Sequence, residues 1–522
     1  MLNQKNYMKN KNILLTTLIS ASVFIFSSCE NEIPGGISYE AYSFSSLSED
    51  GGNWKPILLT SGADVAIPAP SDVTSPEYLA ELAEVKSLSS SLSADQQEIV
   101  DYWGNNTAVR WMEIAETLVA KYNLPPDPGP EGNYPPPTGT PLTSDFPFAH
   151  PPFANRMYAH LSASFYDAAI SAWHYKFTYD RPAIYLTDGG ITQAYPKNNI
   201  PSYPSEDAAI AYSAQKILSF LFPNDVAFIA EKAKECRDSR KWAGLATESD
   251  LVAGDSIGSY VSHAYIERSK VDNAKFAQVD KATYTLLEDT ATMMWGDQWQ
   301  HWLNIDIPPR PVGVTPRYGD VTPWWIPNVE AVRPGPPPAI GSAEYLEAEQ
   351  ELLDLTDNAT KEQEEIAFFW GDGPGTYTPS GHWNLMATEK IVEAGLNPLR
   401  TTRVLAYMNT AMGDAAISCW DTKYYYFYPR PSQANPDIRS TFMTPNFPSY
   451  TSGHSTFSGA AAEVLSYFFP EDASEFQNFA IEASNSRIYG RIHFRFDCEV
   501  GVTVGNNIGD YSIAAAMADG GE

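Results

Sequence analysis

Three short motifs near the C-terminus combine cationic and imidazole side chains at close spacing. Lys423 is followed after six residues by Arg430, a loop carries Ser452-Gly453-His454, and Arg487 precedes His493 by six positions. Arginine forks bind the oxygens of a tetrahedral oxyanion bidentately, and lysine adds a point charge. Three cations can hold such a ligand without an acidic residue. The two histidines are therefore free for chemistry.

The loop between the cationic motifs supplies two further groups that suit an oxyanion. Ser452 can donate its hydroxyl, and Gly453 lets a backbone N–H approach a ligand closely. We expect a helix to begin near Ser455, and a helix N-terminus favours anions. His454 in this loop is a candidate general acid and base.

The order of the motifs, K-x6-RP, then SGH, then SR-x5-H-x3-D, resembles the type 2 phosphatidic acid phosphatase (PAP2) superfamily, which includes the vanadium-dependent haloperoxidases. One departure is Thr451, where the family usually has Pro. The resemblance implies that His493 bonds the metal of a bound vanadate, with His454 as acid and base and Asp497 helping to orient the region. It implies that the oxyanion is held by Lys423, Arg430, Ser452, Gly453 and Arg487.

Further site residues follow from the same resemblance. The segment Trp370-Gly371-Asp372-Gly373 resembles a haloperoxidase segment whose acid pairs with an arginine of the site, which makes Asp372 the expected partner of Arg487. The alternative is an exposed Asp in a Gly-rich turn. Trp420 and Phe447 match aromatic positions that line the vanadate pocket in such enzymes, and both also suit a plain hydrophobic core. The predicted catalytic set is His454, His493, Lys423 and Asp372.

A second segment, Pro379-Ser380-Gly381-His382, matches the family's PSGH motif in sequence but not in its position along the chain. It precedes Lys423, whereas the family order requires it afterwards. We therefore predict a structural or channel-lining role for His382.

An internal repeat sets the expected architecture. The segment Asp167–Trp173 recurs as Asp414–Trp420, an offset of 247, and an upstream stretch recurs at an offset of 267. Apolar residues at three- and four-residue steps predict an all-α fold of two duplicated helical bundles packed together, with the active site in the C-terminal bundle. In the first copy, Glu206 replaces Gly453, Asp207 replaces His454 and Ala246 replaces His493. We predict that this copy is an inactive structural half.

Composition and the N-terminus indicate an exported protein. Residues 1–28 have a basic start and a short apolar run, and the run ends at a sequence that resembles a bacterial lipoprotein cleavage site before Cys29. An ordinary signal peptide is the alternative. The predicted organisation is signal peptide 1–28, tether 29–53, N-terminal bundle 54–304, Pro- and Trp-rich connector 305–341 and catalytic bundle 342–522. The expected location is periplasmic or on the cell surface.

Charge and cysteines limit the partners. The net charge of −30 argues against nucleic acid or anionic membrane, so we expect membrane contact only through a lipid on Cys29. Cys236, Cys419 and Cys498 allow at most one intramolecular disulfide, and no Cys/His spacing indicates zinc.

The resemblance implies a vanadate-dependent haloperoxidase that uses hydrogen peroxide to oxidise halide, with a small organic nucleophile as a possible further substrate. In that mechanism Lys423 polarises the bound peroxide most directly. An alternative is a soluble phosphomonoesterase in which His493 attacks phosphorus and forms a phosphohistidine. A third is a non-catalytic surface lipoprotein that binds an anion.

Overall fold

The computed structural model describes residues 39–124, 150–305 and 310–522, so the predicted signal peptide and Cys29, the predicted lipidation site, lie outside the described residues. The described residues form helices, turns and loops, with no β-strand among them, which confirms the all-α prediction. None of these helices is long and apolar enough to cross a membrane.

Seventeen helices occur in the described ranges. The N-terminal half contains α1 Pro76–Ser89, α2 Ala94–Trp103, α3 Thr107–Tyr122, α4 Pro151–Tyr179, α5 Ile184–Thr187, α6 Glu206–Leu221, α7 Val226–Trp242 and α8 Glu248–Val271. Helix α9 Lys281–Trp295 follows. The C-terminal half contains α10 Ala343–Asn358, α11 Lys361–Phe369, α12 Thr378–Glu393, α13 Pro398–Tyr426, α14 Pro431–Ala434, α15 Gly453–Phe468, α16 Ala473–Tyr489 and α17 Arg495–Met517.

Local sequence signals explain where helices begin and where they break. Ser75 caps α1, because its hydroxyl accepts the Tyr78 N–H at 3.2 Å. The apolar periodicity of residues 93–122 and of residues 225–268 predicts one continuous helix in each stretch, but each stretch forms two helices. The breaks contain Gly104 (φ 53°) and Gly244 (φ 70°), and glycine adopts this left-handed conformation without steric cost.

The structure contains the predicted duplication. Helices α4 to α8 recur 247 residues later as α13 to α17, and α4 and α13 both have 29 residues. Both of these long helices end at a residue with φ 48°, Asp180 and Phe427. The two copies meet mainly along α4 and α13, which are buried for most of their length.

One buried carboxylate in each copy fixes an extended segment to its long helix. Asp414 accepts the N–H groups of Trp324, Trp325 and Ile326 at 2.7, 2.7 and 3.0 Å. Asp167 makes the same contacts with three consecutive N–H groups, those of Ile57, Leu58 and Leu59. Residues 324–326 of the connector 305–341 are therefore hydrogen-bonded to the catalytic bundle.

Part of the predicted tether 29–53 is packed in the folded unit. The Ser45 N–H donates to the Gly395 carbonyl at 2.8 Å, and a 3₁₀ turn at Glu49–Asn53 packs on α4. A Cβ on Gly52 would lie 2.3 Å from the Cα of His174. The glycines that suggested flexibility here allow close packing instead.

Candidate active site

Lys423 lies in the last turn of α13 and is fully buried. Its Nζ donates to three backbone carbonyls, those of Pro448 at 2.8 Å, Ser449 at 2.8 Å and Thr451 at 2.6 Å. Burial lowers the pKa of Lys423 to about 7, while three acceptors at this range favour the ammonium form. An ammonium has three N–H groups, so all are used by the loop. In this arrangement Lys423 acts on a ligand through its charge, and direct donation to bound peroxide does not fit.

Arg430 immediately precedes α14 and points into the same pocket. Its Nε donates to the Phe447 carbonyl at 3.1 Å, and its Nη1 donates to the Ile492 carbonyl at 2.8 Å. The same Nη1 lies 2.9 Å from Nε2 of His493. Its Nη2 is buried and has no partner. Burial lowers the pKa of Arg430 to about 10, which leaves it charged at neutral pH.

Arg487, in the last turn of α16, is the third buried cation. Its Nη2 donates to the carbonyls of Ala367 at 3.0 Å and Trp370 at 2.7 Å, and its Nε donates to the Ser486 hydroxyl at 2.9 Å. Burial lowers its pKa to about 10. These contacts fix the guanidinium between α16 and the end of α11.

The SGH loop opens α15, which begins at Gly453, two residues earlier than predicted. Ser452 caps the helix by accepting the Ser455 N–H at 3.3 Å, and its own N–H donates to the Asp497 carbonyl at 2.9 Å. The first N–H groups of a helix have no intrahelical acceptor, so those of this turn can bind an anion. A Cβ on Gly453 would meet only carbons of Phe457 and Trp420 at 3.5–3.8 Å, so protein packing does not require glycine there.

His493 lies just before α17 and is held at both ring nitrogens. Its Nδ1 lies 3.0 Å from Oδ2 of Asp497, and its Nε2 faces the Arg430 guanidinium. Arginine only donates, so Nε2 is an acceptor and Nδ1 carries the proton. Burial, followed by the charges of Arg430 and Lys423, holds the pKa of His493 well below its usual value. The ring is therefore neutral, and the lone pair of Nε2 is directed at Nη1 of Arg430.

Asp497 is the carboxylate that orients this ring. Its Oδ2 also accepts the Ser449 hydroxyl at 2.5 Å and the Phe494 N–H at 3.1 Å, while Oδ1 is buried without a partner. Burial raises the pKa of Asp497 to about 6. The one-turn separation from His493, visible in the sequence, produces this direct contact.

His454 stands in the first turn of α15 and remains partly exposed. Its Nε2 is buried and has no hydrogen-bond partner. Burial, followed by the Arg487 charge, holds its pKa well below the usual value. A neutral imidazole with a free nitrogen can accept a proton from a ligand.

The predicted aromatic residues line the cationic side of the pocket. The rings of Trp420 and Phe447 are 4.9 Å apart. The Phe447 centroid lies 5.2 Å from Nζ of Lys423 and 5.1 Å from the Arg430 guanidinium carbon. The structure therefore brings the three motifs and both aromatic residues together around His493.

Asp372 does not pair with Arg487 as expected, and it is not an exposed turn residue either. Its Oδ2 lies 3.1 Å from Nδ1 of His382, and its side chain is only 5% exposed. The His382 ring stacks on Trp370, with centroids 4.5 Å apart, and the Trp370 carbonyl accepts from Arg487. His382 is thus an immediate neighbour of the site, a contact that depends on how α11 and α12 pack.

Three buried cations of the N-terminal copy have acidic partners. Two of them, Lys176 and Arg240, stand 247 residues before Lys423 and Arg487, while Ala183 takes the position of Arg430. Lys176 pairs with Glu206 at 2.8 Å, and Arg240 pairs with Asp207 at 3.3 Å. Arg181 forms a short ion pair with Asp250, an acid that the sequence comparison overlooked although it lies 247 residues before Asp497. In the C-terminal copy, none of Lys423, Arg430 and Arg487 forms an ion pair with a described residue. The two copies therefore differ in charge balance as well as in their histidines.

The three cysteines that the structure describes, Cys236, Cys419 and Cys498, are free and buried. No group of three or more His, Cys, Asp or Glu side chains among the described residues is arranged to hold a metal cation. The C-terminal pocket instead combines the imidazoles of His454 and His493 with three cations, which suits an oxyanion.

Comparison with known proteins agrees with this geometry. Residues 403–511 match the family model of the PAP2 superfamily, and this range contains all three motifs. The C-terminal half of the chain therefore contains a PAP2 superfamily domain, and the resemblance seen in the sequence is confirmed. No curated protein matches the chain.

The similar solved structures are vanadium-dependent haloperoxidases. The structure described as the first bacterial vanadium-dependent iodoperoxidase has 25% identity and a TM-score of 0.53, over 70% of this chain and 91% of that one. An apo bacterial vanadium-dependent chloroperoxidase has 12% identity and a TM-score of 0.49, covering 71% and 96%. The holo form of a bacterial vanadium-dependent chloroperoxidase has 13% identity and a TM-score of 0.48, covering 75% and 96%.

Proposed function

We propose that the protein is a vanadium-dependent haloperoxidase, which uses hydrogen peroxide to oxidise a halide ion to hypohalite. The observation that carries this proposal is a group of three buried cations around His493, none of which forms an ion-pair contact with a described carboxylate. Buried charge is costly unless it is compensated. A bound oxyanion would supply that compensation.

The residues present fit vanadate. Nη2 of Arg430 and Nε2 of His454 are buried without partners, and the missing side chain of Gly453 leaves the helix N-terminus open. Arg430, Arg487, the Ser452 hydroxyl and the Gly453 N–H would hold the oxygens. His493 would bond the metal through Nε2, since its Nδ1–H is held by Asp497, and this bond would replace the present contact of Nε2 with Nη1 of Arg430. Vanadate, when bound, supplies a Lewis acid that activates hydrogen peroxide without changing its own oxidation state.

His454 is the general acid and base in this proposal. Its neutral Nε2 would accept a proton from hydrogen peroxide as the peroxide binds. It would then donate this proton to the oxygen atom that is released as water. The overall reaction converts hydrogen peroxide, a halide ion and a proton into hypohalous acid and water. The low pKa of His454 keeps the imidazole available as a base at neutral pH.

The cations stabilise negative charge throughout the cycle. Arg430 and Arg487 are fixed by carbonyls before the ligand arrives, so their charge is preorganised. Lys423 contributes its field from behind the loop 448–451. Trp420 and Phe447 exclude water from this side and strengthen these interactions.

A direct assay separates this activity from phosphomonoesterase activity. The purified protein is reconstituted with vanadate and supplied with hydrogen peroxide and iodide, bromide or chloride, while an aryl phosphate is tested without vanadate. Iodide comes first, because one similar structure, with a TM-score of 0.53, is described as an iodoperoxidase. We expect vanadate-dependent halogenation of a dye. Ester hydrolysis without halogenation would favour the phosphatase. The absence of both activities would favour a non-catalytic anion-binding protein.

His493→Ala should abolish halogenation, because no other described imidazole contacts the Arg430 guanidinium. His263→Ala is the matched control, since His263 is exposed on α8 in the other half of the chain. His382→Ala is unsuitable as a control because His382 contacts Asp372 and Trp370.

We also propose that the mature protein is an extracytoplasmic lipoprotein anchored through Cys29. The basic start, apolar run and cysteine of residues 1–29 support this proposal. Metabolic labelling with a radioactive fatty acid should mark the wild-type protein but not the Cys29→Ser variant. Equal labelling of both would contradict the proposal.

A further inference from the structure

A polar cavity of about 60 Å³ lies in the N-terminal half, at the position equivalent to the C-terminal pocket. Its walls include Lys176, Ser205, Glu206, Asp207 and Ala246. Four of these stand 247 residues before Lys423, Ser452, Gly453 and His454, and Ala246 stands 247 residues before His493. The mechanism proposed above does not use this cavity.

The hydrogen bonds around this cavity, here called its frame, repeat those of the C-terminal pocket. Nζ of Lys176 donates to the Pro201 carbonyl at 2.6 Å, as Lys423 does to the Pro448 carbonyl. The Ser205 hydroxyl accepts the Ala208 N–H at 3.2 Å and so caps α6. The Ser205 N–H donates to the Asp250 carbonyl at 2.9 Å, the same distance as in the equivalent contact of Ser452.

The cations of this frame are also retained. Arg240 lies in the last turn of α7, as Arg487 does in α16, and its Nη1 donates to the Gly104 carbonyl at 2.9 Å. Lys176 and Arg240 are both buried. The N-terminal half therefore keeps Lys176 and a capped helix N-terminus at this cavity, while Arg240 contacts Asp207, one of the wall residues.

An acidic side chain stands where an anion would bind. Glu206 is the first residue of α6, at the position of Gly453 in α15, and its Oε2 lies 2.8 Å from Nζ of Lys176. Asp207 neutralises Arg240 in the same way. A carboxylate is itself an oxyanion, and it is stabilised both by a helix N-terminus and by a nearby ammonium.

We propose that the N-terminal half contains a second oxyanion-binding site whose ligand position is taken by the Glu206 carboxylate, so that it accepts a phosphate-like tetrahedral oxyanion only when this side chain is removed. The proposal rests on the C-terminal pocket being an oxyanion site, and it does not require haloperoxidase activity. Ala246 leaves this site without a metal-bonding imidazole. Its ligand is therefore held by charge and hydrogen bonds alone.

Removing Glu206 tests the proposal. Glu206→Gly reproduces the residue of the second copy, enlarges the cavity and leaves Lys176 buried without its acid. Equilibrium dialysis with inorganic phosphate should give one more bound phosphate per chain than the wild-type protein. Glu77→Gly is the matched control, because Glu77 is an exposed acid in the first turn of a serine-capped helix. This control should leave the phosphate count unchanged.

Thermal unfolding gives a second readout. Phosphate should raise the Tm of Glu206→Gly more than that of the wild-type protein, because the anion restores the lost compensation for Lys176. If Glu206→Gly does not fold alone, phosphate during refolding should rescue it and the milder variant Glu206→Ala. An unchanged phosphate count, or no effect of phosphate on the folding of either variant, would overturn the proposal.

The same dialysis separates this proposal from the proposed function. A wild-type chain that binds neither vanadate nor phosphate would contradict the C-terminal oxyanion site. The difference in the number of bound phosphate ions between Glu206→Gly and the wild-type chain tests the N-terminal site alone. The two ideas can therefore fail independently.

Discussion

At the scale of single residues, the contacts of Lys423 limit what this side chain can do. All three of its N–H groups donate to carbonyls of the loop 448–451, so the ligand receives its charge and no hydrogen bond. Arg430 is the opposite case, because its Nη2 is buried and lacks a partner. We infer that Arg430 contributes direct hydrogen bonds and that Lys423 contributes field and loop geometry.

The pKa of Lys423 predicts the pH dependence of vanadate binding. Burial lowers this pKa to about 7, so the ammonium is present below pH 7 and is lost as the pH rises above it. A bound anion favours the ammonium. We therefore expect vanadate binding to take up a proton above pH 7 and to weaken there by up to about tenfold per pH unit. Calorimetry in buffers of different ionisation enthalpy measures the proton uptake, and affinity that does not change with pH would contradict this assignment.

Asp497 sets the tautomer of His493, so its loss should weaken the metal site. We expect Asp497→Ala to lower vanadate affinity by about 10- to 100-fold, as is typical for the partner of a ligating histidine. Asp510→Ala is the control, because Asp510 is exposed on the same helix. The measurement is a vanadate titration of the folded protein, with circular dichroism confirming the helical content. Equal affinity in both variants would show that Asp497 does not position the ring.

The residue types of the three motifs and their resemblance to the PAP2 superfamily predict that the motifs converge, and in the structure each motif lies at a helix end. Lys423 is in the last turn of α13, Ser452 caps α15 and Arg487 is in the last turn of α16. Sequence spacing does not predict the partner of Asp372, because the contact with His382 depends on packing between two separate helices. The carbonyl acceptors of Lys423 were missed for a similar reason, since the path of an irregular loop is not encoded by residue spacing.

At the scale of secondary-structure elements, the repeat is the most reliable prediction. The offset of 247 residues holds for five consecutive helices and their connecting turn, because the same sequence positions carry the caps and the buried faces. Helix breaks at Gly104 and Gly244 were missed, since the apolar periodicity continues across them. The packing of residues 45–53 was also missed, because serine and glycine are common both in flexible tethers and in tightly packed turns.

Asp414 provides a test of how the connector is held. Asp414→Ala would leave the N–H groups of Trp324, Trp325 and Ile326 without their acceptor. An unsatisfied buried donor costs about 1–3 kcal/mol, so we expect the free energy of unfolding to fall by roughly 3 kcal/mol or more. Asp167→Ala should have a similar effect through residues 57–59. Urea unfolding measures both, and a loss no larger than that of the exposed control Asp354→Ala would contradict this role.

At the scale of the whole molecule, a strongly negative chain surrounds a positive pocket. The net charge of −30 repels vanadate and halide at long range, while the buried cations attract them at short range. The N-terminal half offsets its own cations with Glu206, Asp207 and Asp250. At the C-terminal pocket, by contrast, Lys423, Arg430 and Arg487 form no ion-pair contact with a described residue, although Asp497 and Asp372 lie near enough to oppose the lowering of their pKa values by burial.

This charge distribution predicts the effect of salt on cofactor loading. Salt screens the long-range repulsion with a Debye length of about 10 Å at 0.1 M, but it screens the buried contacts much less. The association rate of vanadate should therefore rise as an inert salt is added, while the dissociation rate changes little. Stopped-flow mixing with the metal-free protein measures both. An association rate that falls with salt would indicate a positively charged approach instead.

The central claim is that the C-terminal half binds one tetrahedral oxyanion whose metal bonds to His493. The most direct measurement is anomalous diffraction at the vanadium edge from crystals soaked in vanadate. We expect one strong vanadium peak at bonding distance from Nε2 of His493, between Arg430 and Arg487, and no peak in the His493→Ala variant. Wild-type crystals with no vanadium at His493, or with vanadium bound only elsewhere in the chain, would contradict the claim.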